Sequence, residues 1–118
     1  MSLSDHIAKE PRLRFQAGDI VFQRGDPGDC AYIVLDGTVR IQISESVGEA
    51  VEYGSMFGEM ALIGGKTRGG TAIAATECEL VAIDRTVFTE LVRTMPDFAL
   101  QVMHDLAQRL LRKDSERD

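Results

Sequence analysis

The spacing of hydrophobic positions changes once along the chain, and the change divides it. From residue 12 to residue 83, apolar side chains recur at every second position or in short runs. Arg12-Leu13-Arg14-Phe15 alternates polar with apolar, and Val39-Arg40-Ile41-Gln42-Ile43 does so most cleanly. A period of two predicts half-buried strands. Asp19–Gln23, Cys30–Leu35, Glu49–Tyr53, Thr71–Thr76 and Glu77–Ile83 are further short strand candidates. Turn signals separate them. Asp36-Gly37, an Asp-Gly pair between apolar runs, predicts a tight hairpin with positive φ. Gly25-Asp26-Pro27-Gly28-Asp29 reads as a longer loop, and Gly48 and Gly54 mark two more reversals. Strands spaced about ten residues apart suggest a sandwich, a barrel or a jelly roll.

Beyond Asp84 the period becomes helical. Thr86–Val92 predicts a short helix, and Pro96 with Asp97 fits the first turn of a longer one. Ala99, Val102, Met103, Leu106 and Leu110 then form an i, i+3/i+4, i+7 stripe, widened by Phe98, Leu100, Ala107 and Leu111. Arg109, Arg112 and Lys113 suit the negative end of the helix dipole. One segment interrupts the strands. Phe57–Gly65 has helix formers in its middle and glycines toward both ends, which predicts one or two turns of helix. The expected class is α+β, mainly β, with segregated helices. One domain over residues 1–118 is expected, with strands over about 12–83 and C-terminal helices over about 85–113.

Composition narrows the function. A chain of 118 residues has room for one ordinary domain and buries enough surface to need no disulfide or metal staple. The formal net charge is −6, which disfavours nucleic acid binding by bulk electrostatics. A small anion would need a local positive site set against that field. No apolar run approaches the roughly 18 residues of a membrane span, and no secretory signal is visible, so a cytoplasmic location is expected. Cys30 and Cys78 lack a CxxC spacing and read as small core residues in a reducing compartment. No metal or other cofactor is expected, since the histidines are His6, in the N-terminal segment, and His104, on the polar side of the last helix. That gap also argues against a cupin-type metalloenzyme, which needs histidines on its strands.

The chemistry concentrates in Phe57-Gly58-Glu59-Met60-Ala61-Leu62-Ile63-Gly64-Gly65-Lys66-Thr67-Arg68-Gly69-Gly70-Thr71. A short helix starting at a glycine exposes backbone N–H groups and a positive dipole end. Arg68 just beyond it can give a phosphate two parallel charge-assisted hydrogen bonds. Gly69-Gly70 permit close backbone approach. Glu59 is an acceptor suited to a sugar hydroxyl. Gly65-Lys66-Thr67 looks like the end of a P-loop, but the first glycine of that motif would fall at Met60, and a strand-like run follows.

This stretch resembles the phosphate-binding cassette of cyclic nucleotide-binding domains, roughly F-G-E-L-A-L followed by P-R-A-A-T. Phe57, Gly58, Glu59, Ala61, Leu62, Arg68 and Thr71 match in place. Upstream, Phe15 to Asp26 is similar to the family's F-x-x-G-D-x-I-x-x-x-G-D, and Tyr32 to Val39 to its Y-x-V-x-x-G-x-V. Downstream, Leu80 to Arg85 and Phe88 also fit, so the resemblance covers about residues 12–113. It implies an antiparallel β-roll (jelly roll), a cassette helix, flanking helices, and cyclic AMP or cyclic GMP as ligand. The implied ligand-binding set is Gly58, Glu59, Met60, Ala61, Arg68, Gly69 and Thr71. Arg68 would hold the cyclic phosphate with the N–H groups of Ala61 and Gly69, while Glu59 and the Gly58 backbone would take the ribose 2′-hydroxyl. Three residues depart from the family pattern. Thr67 replaces a proline, which loosens the loop before Arg68. Gly69-Gly70 replace two alanines and raise the entropy cost of ordering the loop. Gly69 also lacks the hydroxyl that contacts the guanine amino group in cyclic-GMP-selective relatives, which favours cyclic AMP.

The resemblance implies a non-enzymatic sensor in which ligand orders Gly64–Gly70 and draws the final helix toward the base. That helix is also a candidate homodimer seam. The competing reading is a degenerate fold acting as a protein-interaction module without ligand. DNA binding by this chain is not expected, since it ends where transcription regulators of the family add a recognition helix.

Overall fold

A computed structural model of the chain describes residues 7–42, 48–64 and 67–117, with side chains described except at Ile63 and residues 109–117. Eight strands form two antiparallel four-stranded sheets. They are β1 (Arg12–Phe15), β2 (Ile20–Phe22), β3 (Cys30–Asp36), β4 (Val39–Gln42), β5 (Gly48–Val51), β6 (Met56–Phe57), β7 (Thr71–Ala74) and β8 (Cys78–Asp84). The sheets have the orders β1-β8-β3-β6 and β2-β7-β4-β5. Helix α1 (Met60–Ile63) follows β6, and α2 (Arg85–Thr94) and α3 (Pro96–Arg117) close the chain.

Burial explains the two kinds of strand pattern. The run Leu80-Val81-Ala82-Ile83 is apolar at successive positions because its sheet is covered on both faces. Val34, Leu80 and Cys78 pack inward with Val39, Val51, Phe57, Ala72 and Ala74 between the sheets. Ala31, Ile33, Val81 and Ile83 pack outward with Ile7, Leu62 and Leu91, and Val87, Phe88, Phe98 and Val102 of the helices join them. Among the described residues, the outer face of the other sheet has no such cover, so β4 keeps a polar position, Arg40, between Val39 and Ile41.

Several expectations are corrected. Asp36-Gly37 does not close a hairpin: β3 and β4 lie in different sheets, and the pair turns the corner between them. The Thr38 N–H donates to Thr76 Oγ1 at 3.0 Å, which ties that corner to the β7–β8 turn. The inserted helix is a single turn, within the one or two expected, but Phe57 lies outside it: with Met56 it pairs with Tyr32 and Ile33 as β6. Ile7 is fully buried beneath the helices, a role its surroundings in the sequence do not announce.

The helical third follows the sequence more closely. Asp84 caps α2 by accepting from Val87 N–H at 2.8 Å, and Pro96 opens α3 with Asp97 in its first turn. The stripe on α3 is narrower than expected. Phe98, Ala99, Val102 and Leu106 are half-buried, whereas Leu100 and Met103 are 60% and 58% exposed. His104 is exposed, with Nδ1 3.7 Å from Asp105 Oδ1. The expectations for Ile43, Lys66, His6 and the side chains of Arg109, Leu110, Leu111, Arg112 and Lys113 fall outside the described residues. Among the described residues, no helix is long and apolar enough to cross a membrane.

Candidate functional site

Arg68 is fixed by its backbone before its side chain enters the site. Thr67 pairs with Pro27 in an isolated antiparallel bridge. Arg68 N–H donates to Asp26 O and Gly25 N–H donates to Arg68 O, both at 2.8 Å. The segment expected to be loose for want of a proline at Thr67 is therefore clipped to the Gly25–Gly28 loop.

From that clip the Arg68 side chain runs inward and is only 7% exposed. Its guanidinium lies over the Phe22 ring, 4.2 Å from the centroid, and 5.7 Å from that of Tyr32. Nη1 donates to Gly58 O at 3.2 Å, and Nη2 lies 3.9 Å from Cys30 Sγ. Nε is buried and has no hydrogen-bond partner among the described residues. Two glycines allow this path. A Cβ on Gly28 would sit 2.6 Å from the Arg68 Cζ, and Gly58, at φ +76, would place one 2.9 Å from Nη1.

The Gly58 carbonyl also accepts from Ala61 N–H at 3.3 Å. Glu59 occupies the N-cap position of α1 and is 4% exposed. Behind the guanidinium, Phe22, Tyr32 and Phe57 stack with centroids 5.3–6.1 Å apart. Burial pushes the Tyr32 phenol up to about 12. A hydrogen bond with the Cys30 side chain adds to the rise and the Arg68 charge opposes it.

These groups border a cavity of about 280 Å³, near the lower end for small-molecule sites. Gly58, Glu59, Met60 and Ala61 form one wall, and Thr67, Arg68, Gly69 and Gly70 the next. Phe22 and Phe57 supply apolar surface between them. Ile41 and Glu49, paired across the β4–β5 ladder, face in from the second sheet, and Leu106 reaches in from α3.

Six of the seven residues expected at the site therefore share this cavity. Thr71 lies outside its lining: its hydroxyl accepts the Arg24 N–H at 3.0 Å and so braces the Gly25–Gly28 loop instead. Sequence reasoning missed the shared wall of Ile41 and Glu49, which follows only from the β4–β5 register. Leu106 was legible as part of the helical stripe, but its place beside the cassette was not. Among the described residues, no group of three or more His, Cys, Asp or Glu is placed to hold a metal ion.

The arrangement is suited to an anion. No carboxylate among the described residues lies within ion-pair distance of Arg68, and a buried cation without a counter-charge is costly. The aromatic faces recover part of that cost, and a phosphate would supply the missing charge.

Comparison with known proteins agrees with this geometry. A family model described as "Cyclic nucleotide-binding domain" matches residues 12–95. The chain is 35% identical over 86 residues to the cAMP-dependent protein kinase regulatory subunit of Candida albicans, covering 73% of this chain and 19% of that protein. It is 32% identical over 112 residues to the Cyclic AMP receptor protein of Thermus thermophilus, covering 91% and 52% respectively. The crystal structure of the Thermus thermophilus Catabolite Activator Protein superimposes with a TM-score of 0.78 at 29% identity, covering 98% of this chain and 57% of that one. The chain thus spans about half, or less, of the length of these relatives.

Proposed function

The chain belongs to the cyclic nucleotide-binding domain family, and from that premise we propose that it is a non-enzymatic sensor of cyclic AMP. The observation that carries the reading is the buried Arg68 guanidinium, set in a cavity wall where, among the described residues, Nε lacks a partner and no carboxylate lies close enough to neutralise it. In this reading the guanidinium and the N–H groups of Ala61 and Gly69 take the cyclic phosphate. Glu59 and the Gly58 backbone take the ribose hydroxyl, and the purine lies toward Ile41, Glu49 and Leu106. Gly69, which offers no hydroxyl to a guanine amino group, supports cyclic AMP over cyclic GMP, and the relatives named for cyclic AMP point the same way.

Leu106 supports coupling to the C-terminal helix. Ligand that touches Leu106 draws α3 toward the cavity, and the shift is as large as the difference in affinity between the two helix positions. The exposed Leu100 and Met103 support the same helix as a homodimer seam.

Isothermal titration with cyclic AMP tests the reading. Hydrogen bonds to charged groups contribute about 1.5–3 kcal/mol each. Arg68→Ala should therefore weaken binding by about 100-fold or abolish it, and cyclic GMP should bind more weakly than cyclic AMP. Absence of heat and of any thermal shift with the wild-type chain would leave only the interaction-module reading.

A further inference from the structure

The two cysteines sit in opposite surroundings. Cys78 is 2% exposed between the sheets, and burial pushes its thiol up, with Asp19 and Asp36 adding to the rise. Cys30 is partly exposed at the first position of β3. Its sulfur faces two donors: Arg68 Nη2 at 3.9 Å and the hydroxyl of Tyr32. Arg68 is more than nine-tenths buried and, among the described residues, its Nε is without a partner, so the guanidinium that meets the sulfur through Nη2 has hydrogen-bonding capacity to spare for an anion. Electropositive, partly exposed surroundings mark reactive cysteines, whereas buried ones are inert.

We propose that Cys30 is an oxidation site whose anionic product competes with the ligand phosphate for Arg68. This inference rests on the reading of Arg68 as the phosphate-binding group. The oxidant is a peroxide. In the first step the thiol takes one oxygen from hydrogen peroxide, the O–O bond breaks, and the products are a sulfenic acid and water. A second peroxide adds another oxygen, giving a sulfinate, a proton and a second water. Each step oxidises the sulfur by two electrons and reduces one peroxide. An oxygen added to a sulfur 3.9 Å from Nη2 falls within hydrogen-bond reach of the guanidinium. The sulfinate charge then pairs with Arg68 at Nη2, while Nη1 keeps the Gly58 carbonyl, and withdraws the guanidinium from the cavity.

The test uses the full chain, first reduced and then exposed to graded hydrogen peroxide. Peptide mass spectrometry locates added oxygen, and titration with cyclic AMP follows affinity. Cys30 should gain two oxygens before Cys78 gains any, and affinity should fall at least about tenfold in step with the sulfinate fraction. Cys30→Ser, treated identically, should keep the affinity it had before treatment. Oxidation of Cys78 first overturns the proposal, as does full oxidation of Cys30 with affinity unchanged. An equal loss in Cys30→Ser also overturns it, because the damage would then lie elsewhere, with the exposed Met60 on the cavity wall the first suspect. Failure of the reduced protein to bind cyclic AMP is a separate result. It is read before peroxide is added, and it removes the functional reading together with the switch built on it.

Discussion

The two faces of the β1-β8-β3-β6 sheet are covered by different means. Val34 and Leu80 on the inner face meet a second sheet held together by its own ladder of backbone hydrogen bonds. Ile33, Val81 and Ile83 on the outer face meet Ile7, Leu91 and the helices, largely through apolar side-chain contacts. A strand cannot shift without breaking ladder bonds, whereas a helix can slide as a unit over an apolar surface. The cavity lies where the two covers meet. Its Arg68 side is built on the clipped loop, α1 and the sheets, and among the described residues the C-terminal helices contribute Leu106. Under the proposed function the contrast teaches a division of labour, in which the rigid cover would grip and the movable cover would respond.

Matched truncations test this most severely. Leu80→Ala opens a gap between two hydrogen-bonded sheets that cannot close it, and should cost about 3–5 kcal/mol in urea unfolding. Leu91→Ala opens a gap under α2, which can settle toward it, and should cost about 2–3 kcal/mol. Equal losses would mean that the helical cover is as rigid as the sheet. A smaller effect is expected at the junction of the two layers. Asp84→Ala removes the acceptor for Val87 N–H and should cost about 1 kcal/mol. Hydrogen exchange should then quicken in α2 while the β8 amides stay protected.

The gentlest probe is pH. The Tyr32 phenol is raised from 10.0 to about 12 in the folded state. The folded chain therefore keeps a proton that the unfolded chain loses. Stability from this source is complete below pH 10 and is lost as pH rises from 10 to about 12. Tyr32→Phe should flatten that part of the stability profile. An unchanged slope would assign the alkaline loss to other groups.

Most of the strands were legible because each carries its own period-two signal, and β8 because its apolar run is continuous. What failed was pairing. Asp36-Gly37 is a hairpin signal by local chemistry, yet sheet membership is decided by partners far along the chain, and Val34 and Leu80 place β3 beside β8. Phe57 was read into the inserted helix, and β6 was missed, because its two residues are too few to show a period. Leu100 and Met103 belong to an apolar stripe on paper, but the sheet beneath α3 accepts a narrower one. At the site, the cassette was legible because neighbouring residues in sequence are neighbours in space. Ile41, Glu49 and the aromatic bed under Arg68 were not, since each reaches the cavity from a different strand.

The Gly58 carbonyl carries a consequence for timing. It occupies two of the donors proposed to hold phosphate, Arg68 Nη1 and Ala61 N–H. Under the proposed function, an arriving nucleotide would trade places with an internal understudy, and a departing one would hand the donors back. The net gain would be the difference between two sets of bonds, which limits tightness and leaves Nη1 and the Ala61 N–H partnered on release. A sensor of the proposed kind built this way would give up some grip for quick turnover, and would follow a falling messenger concentration as readily as a rising one.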